Sequence, residues 1–370
     1  MSKAAELAAL IGSQTALSNR NIVINGAMQV AQRATSVADL GTSHNTYHTV
    51  DRFKVLTGAD ATAGRFTMSQ SSVTNLARFS NAIRLDCTTA DTSIAAGEAC
   101  VLTTSFEGQD LQRLLNTSTS TKAFTISFYA RANESRAVVL EARTSHGTNR
   151  QIAKVFTITS SWQRFEFNVP SSASGMEFGD DNTEDLQLNW WQHAGSTYAG
   201  GTLSTDWAGD TAANRAAGVG SLFASTSNFF EITGIQLEVG EQATAFEHRS
   251  FGDELARCQR YFIKLGGGTD AGAFTRISVS QNESATRNTG AVTLPVQMRA
   301  EPTLVADGNF AVFANAIVTA TNAISINSVG SDNGTVCLIF DVAGGLTAGQ
   351  GAVQMGSSDT TANIKLDAEL

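Results

Sequence analysis

A chain of 370 residues with a formal net charge of −9 has room for two compact domains and carries no dense basic cluster. Binding along a phosphate backbone draws its affinity from basic side chains that release counterions, so no nucleic-acid partner is expected. No stretch approaches the ~20 apolar residues that cross a bilayer, so no membrane insertion is expected either.

The first predicted element is a short amphipathic helix over residues 3–12, since Ala4, Leu7, Ala8 and Ile11 recur at helical spacing. A helix this short is marginal alone. Residues 1–18 therefore read as an attachment or oligomerisation segment with Leu7, Leu10 and Ile11 as its candidate contacts, the other reading being a frayed terminus or a helix packed on its own domain. Lys3 ahead of a short apolar run resembles a secretion signal, but Glu6 interrupts the run and no small-residue cleavage site follows.

From Asn21 the period changes to two. Ile22, Ile24, Met28 and Val30 predict two short strands around a turn at Gly26. The same alternation recurs in DRFKVL, RFTMSQ, NAIRLDC, ACVLTTSF, AFTISFYARA, RAVVLEARTS, KVFTIT, WQRFEFNV, DLQLNWW and FFEITGIQLEV. Many short strands between turn residues specify an antiparallel sandwich. Residues 247–262 carry charge around a helical turn and read as a connector. Weaker alternation then returns in AFTRISVS, GAVTLPVQM, AIVTA, AISINSV, TVCLIF and NIKLDAEL, which predicts a smaller β-sandwich built partly with partner chains.

The expected fold is thus mostly β: an antiparallel jelly-roll β-sandwich over residues 19–246, the connector, and a smaller C-terminal β domain over 263–370. Cys87, Cys100, Cys258 and Cys337 form no CxxC pair, so neither a zinc site nor a redox motif is indicated, and reduced thiols fit folding in cytosol.

Three segments carry a resemblance. They are NRNIVINGAMQVAQRATS followed by YHTVDRF, SFEGQDLQRLL followed by KAFTISFYARA, and FFEITGIQLEVGEQATAFEHRSFGDELARCQRYF, with LPVQMRAEPTL extending the likeness to about residue 304. Together they resemble tail-fibre and appendage proteins of bacteriophages and prophages, especially marine ones. The resemblance implies a jelly roll like that of carbohydrate-binding modules, in a structural virion protein assembled in the host cytoplasm. It also implies a homo-oligomer, expected to be a trimer, with other phage virion proteins and host-surface glycan as partners. A capsid decoration or head-fibre protein is the alternative within the virion class, and a glycan-binding module or glycan hydrolase the alternative outside it.

For glycan binding the candidates are Trp191, Tyr198 and Trp207, because a flat ring stacks on the apolar face of a sugar. In a strand, Trp190 and Trp191 point to opposite faces, and Leu186 and Leu188 share parity with Trp190. Trp190 is therefore the expected core residue and Trp191 the surface one. Phe246, Phe251 and Tyr261 are expected to fasten the connector to the first sheet.

No cofactor is expected, although Asp180, Asp181, Glu184 and Asp185 form an acidic loop that leaves room for a structural calcium. His44, His48 and Asp51 would make a metal face only on a helix, and their segment reads as loop entering strand. No GxSxG, HExxH, Walker or GxGxxG motif occurs, so no catalytic residue is assigned and no enzyme is expected.

Overall fold

The computed structural model describes residues 19–58, 63–172, 175–267 and 274–370. The expected helix at 3–12, with Leu7, Leu10 and Ile11, lies outside the described residues. Two compact units divide between Glu254 and Leu255, inside the predicted connector, and Leu370 groups with the first.

The first unit contains β1 Ser36–Leu40, β2 Asn45–Tyr47, β3 Lys54–Thr57, β4 Arg65–Ser72 and β5 Asn81–Thr89. There follow β6 Ala99–Glu107, β7 Leu115–Thr117, β8 Ser120–Thr121, β9 Phe124–Ala132 and β10 Arg136–Thr144. Next come β11 Arg150–Ile158, β12 Gln163–Val169, β13 Glu184–Ala194, β14 Ala208–Gly209 and β15 Phe229–Val239. They form a six-stranded sheet ordered β1-β4-β5-β15-β9-β12 and a seven-stranded sheet ordered β14-β11-β10-β13-β6-β3-β2.

Alternation sends one side of each strand into a common core, where Phe66, Phe124, Phe128, Trp190 and Phe230 are wholly buried. Each such side chain contributes roughly 1.5–3 kcal/mol by leaving water. Trp190 meets Phe128 edge to face at 5.8 Å, the core role that its parity predicted.

Residues 21–30 form no strand. Asn25 and Met28 take positive φ, and Val23 rather than Ile24 reaches the core. Side chains replace the ladder: Asn25 Nδ2 donates to the carbonyls of Val30 and Asp51, and Asn21 Oδ1 accepts from the amides of Val23 and Leu237. Gly26 lies so close to β15 that an added Cβ would stand 2.2 Å from the Ile235 carbonyl oxygen. Gly234 sits at φ +61 within β15, where the pairing with β9 shifts register.

The polar side of β15 does not face water as alternation predicts. Gln236 and Glu238 are buried, and the following chain folds back so that the Thr244 and Glu247 amides donate to Glu238 Oε1 and Gln236 Oε1 at 2.8 Å each. Phe246 rests on Phe79, with ring centroids 5.1 Å apart, whereas Phe251 is 57% exposed and fastens nothing. Tyr261 is buried and belongs to the second unit.

The second unit contains β16 Phe262–Gly266, β17 Arg276–Asn282, β18 Arg287–Thr293, β19 Thr303–Asp307 and β20 Phe310–Ala314. It continues with β21 Ile317–Ile326, β22 Thr335–Val342, β23 Gly351–Gly356 and β24 Asn363–Asp367. The unit is a barrel with a small sheet and not the expected sandwich. Strands β17-β18-β22-β21-β20-β23 close into a barrel, and β16-β24-β19 form a separate sheet. Closure pairs the edges of the barrel strands with one another, and β16 and β19 remain the edges of the small sheet. Val312, Leu338, Phe340 and Leu366 lie in its core.

Candidate functional site

The outer face of the seven-stranded sheet carries Trp191, the expected surface residue. Register places three rows across it. Val155, Val139, Trp191, Val101 and Leu56 form an apolar row; Ala153, Glu141, Asn189, Thr103 and Lys54 lie beside it; Gln151, Arg143, Gln187 and Ser105 make the third. Trp191 thus lies opposite to Trp190, as alternation requires.

It is nevertheless only 2% exposed. The chain between β13 and β15 returns over the apolar row, with Tyr198 5.3 Å from the Trp191 ring and Ala216, Leu203 and Val219 packed around it. The covering chain is pinned by charge: Arg215 lies over the Trp191 ring at 5.0 Å, and its Nε and Nη2 donate to Glu141 Oε1 and Oε2 at 2.8 and 3.0 Å. Glu141 Oε2 also accepts from Asn189 Nδ2 at 3.1 Å and from Trp191 Nε1 at 3.0 Å. Asn189 Oδ1 in turn accepts from Thr103 Oγ1 at 2.8 Å. A buried carboxylate with this many donors is satisfied, and the aromatic face beside it is spent on the protein's own chain.

The third row is tied down in the same way. Arg143 pairs with Asp210, and Gln151 exchanges hydrogen bonds with Ser204 Oγ and the Thr211 amide. Trp207 is half-buried: its Nε1 donates to the Pro170 carbonyl at 3.0 Å and its ring lies 6.3 Å from Phe124. The three aromatic candidates are therefore not one platform. Trp191 and Tyr198 form a closed stack, and Trp207 stands apart with part of its surface open.

The acidic loop is likewise committed. Asp181 Oδ1 accepts from the Thr183 amide and hydroxyl, bonds that hold its carboxyl below the ordinary range. Asp185 faces His146 at 3.3 Å and Glu184 accepts from Gln187, while Asp180 is exposed. His44 and His48 meet edge to face, but Asp51 is buried elsewhere against Gln32 and Arg33. Among the described residues no three acidic, His or Cys side chains converge as a metal site.

One arrangement has no sequence signal. His193 Nε2 lies 3.0 Å from Glu98 Oε2, and its Nδ1 lies 2.8 Å from Ser221 Oγ. The types match a hydrolase relay. The geometry does not serve one, since the His193 and Glu98 side chains are 0% and 2% exposed and Ser221 Oγ already accepts from the Phe223 amide. The trio clamps the loop before β6, the end of β13 and the turn at 221–224.

Burial lowers the His193 pKa, and the bond to Glu98 opposes that shift. The unfolded chain, with the ordinary value of 6.5, then takes up the proton more readily than the fold. Stability is therefore present above that value and is lost as pH falls through the folded one. His48 and His248 shift the same way. The denaturation midpoint is expected to fall between about pH 7.5 and about pH 5.5, and by less in His193→Gln. An equal fall in both proteins would remove His193 from the effect.

No protein-family model matches the chain, and no curated protein matches it. Among solved structures it is similar to the enzymatically active domain of tailspike protein 4 of bacteriophage CBA120, at 12% identity and a TM-score of 0.29 over 60% of this chain and 21% of that chain. It is also similar to a family 11 carbohydrate-binding module of a cellulosomal cellulase from Clostridium thermocellum, at 11% identity and a TM-score of 0.28 over 59% of this chain and 99% of that one. A family 61 carbohydrate-binding module bound to β-1,4-galactotriose matches at 9% identity and 0.29 over 60% and 100%. The chain thus spans about a fifth of the tailspike domain. The sandwich architecture rests on the strand order itself.

Proposed function

We propose that the chain is a structural bacteriophage virion protein, a tail-fibre or appendage subunit that takes part in host-surface attachment and works by assembly rather than catalysis. One observation carries this reading. The centre of the seven-stranded sheet's outer face, around Trp191, is covered by the chain's own 195–220 segment, with Glu141, Arg215 and Trp191 spent on one another. A face closed in this way is built for rigidity.

The segments that carry the phage resemblance support it. Asn21, Asn25 and Gly26 of the first and Gln236, Glu238 and Glu247 of the last are used as internal fastenings. A subunit of this kind acts as a homotrimer assembled through residues 1–18 in the host cytoplasm and mounted on other virion proteins. Light scattering on the purified chain is expected to give three times the chain mass, and deletion of residues 1–18 is expected to lose either association or particle attachment. A monomeric chain would remove the fibre reading in favour of a capsid decoration protein. A deletion that still assembles and attaches would remove the role of that segment.

A further inference from the structure

In the barrel of the second unit, β20 pairs with β21 only from Ala314 opposite Ile317 to Ala311 opposite Ala320. Beyond that point β21 pairs with β22 alone, and its register shifts between Thr321 and Ala323. The result is an opening of about 360 Å³ between the bulged part of β21 and the turn at Gly308–Phe310, with Ser357 at its end. Phe310 and Ile324 supply apolar surface there.

The polar groups around this opening are uncommitted. Thr321 Oγ1 is buried without a hydrogen-bond partner. Among the described residues the side chains of Asn309, Asn322 and Ser357 also make no hydrogen bond to the protein. A buried hydroxyl without a protein partner gains free energy from a ligand that bonds it, and three open amide and hydroxyl groups beside it can bond the same ligand. No charged side chain lines the cleft. The nearby acids are engaged, Asp359 by the Asn309 and Thr361 amides and Asp307 by Lys365 at 2.5 Å.

The geometry points to a binding cleft for a neutral saccharide at this site, an inference that rests on the host-attachment part of the proposed function. Sugar hydroxyls both donate and accept, which matches amides and hydroxyls that do the same, and the C–H groups of a pyranose match Ile324, Ala320 and Ala323. An anionic ligand would find no cation. A volume in the usual range for small-ligand sites admits a terminal sugar unit rather than a broad polymer surface.

The test is saturation-transfer NMR on the whole chain, with neutral oligosaccharides of glucose, galactose, mannose and N-acetylglucosamine as probes and a sialylated one as control. At least one neutral probe is expected to bind. Thr321→Val and Asn322→Ala should each weaken it roughly fivefold, the loss of about one hydrogen bond. Ala320→Phe should block the cleft with the melting temperature held. Binding of no neutral probe, binding of the sialylated probe alone, or binding unchanged in all three variants would overturn the inference. Binding lost in Trp207→Ala but not in the cleft variants would move the glycan site to the sandwich, leaving the attachment reading in place. The mass measurement tests assembly separately.

Discussion

Glu141→Ala is expected to destabilise the first unit by about 3–5 kcal/mol, among the larger effects open to a single substitution. Glu141 is fully buried and accepts four hydrogen bonds from three side chains at once. Its removal leaves the Arg215 guanidinium, 18% exposed, without its counterion above an apolar row, and leaves the Asn189 and Trp191 N–H groups without an acceptor. Glu141→Gln keeps an acceptor but loses the charge, and should cost less, about 1–3 kcal/mol. Urea unfolding of the three proteins measures this. Limited proteolysis should show the 195–220 segment cut faster in the Ala variant, because that segment is what the carboxylate holds down. A loss below about 1 kcal/mol would mean that the carboxylate is not the fastening described.

Trp191→Ala should cost about 3–5 kcal/mol in the same assay. A tryptophan on an open platform would change stability by no more than about 0.5 kcal/mol. The two expectations are far enough apart to decide whether this face is open or sealed. Trp191→Phe keeps most of the ring volume and loses the bond to Glu141, so it should fall between them, at about 1–2 kcal/mol. Since Trp191 and Glu141 touch, the double variant should lose less than the sum of the two, and strict additivity would contradict the contact. Any loss of glycan binding in Trp191→Ala would then report unfolding.

Strand existence was legible because a half-buried strand writes its two faces into alternate residues. The predicted segments from DRFKVL to FFEITGIQLEV each contain a strand, and Trp190 lies in the core as its parity with Leu186 and Leu188 requires. Where the period misled, side chains had replaced the ladder. Residues 21–30 alternate like strands, yet Asn21 and Asn25 bond neighbouring backbone groups and hold them in turns. AIVTA and AISINSV belong to one long strand, β21. The same limit hid the His193–Glu98–Ser221 clamp, whose members lie 95 and 28 positions apart and share no local pattern.

The sequence by itself determined the mostly β class, the positions of most strands and the opposite faces taken by Trp190 and Trp191. These follow from local periodicity and composition, which act over a few residues. Tertiary structure alone decided that β6 is buried along its whole length, that Trp191 is roofed over, and that the second unit closes as a barrel with a gap beside β21. The physical reason is that alternation says which face a side chain takes but not what covers that face. The cover here comes from a segment distant in sequence, held by an ion pair between residues 74 positions apart.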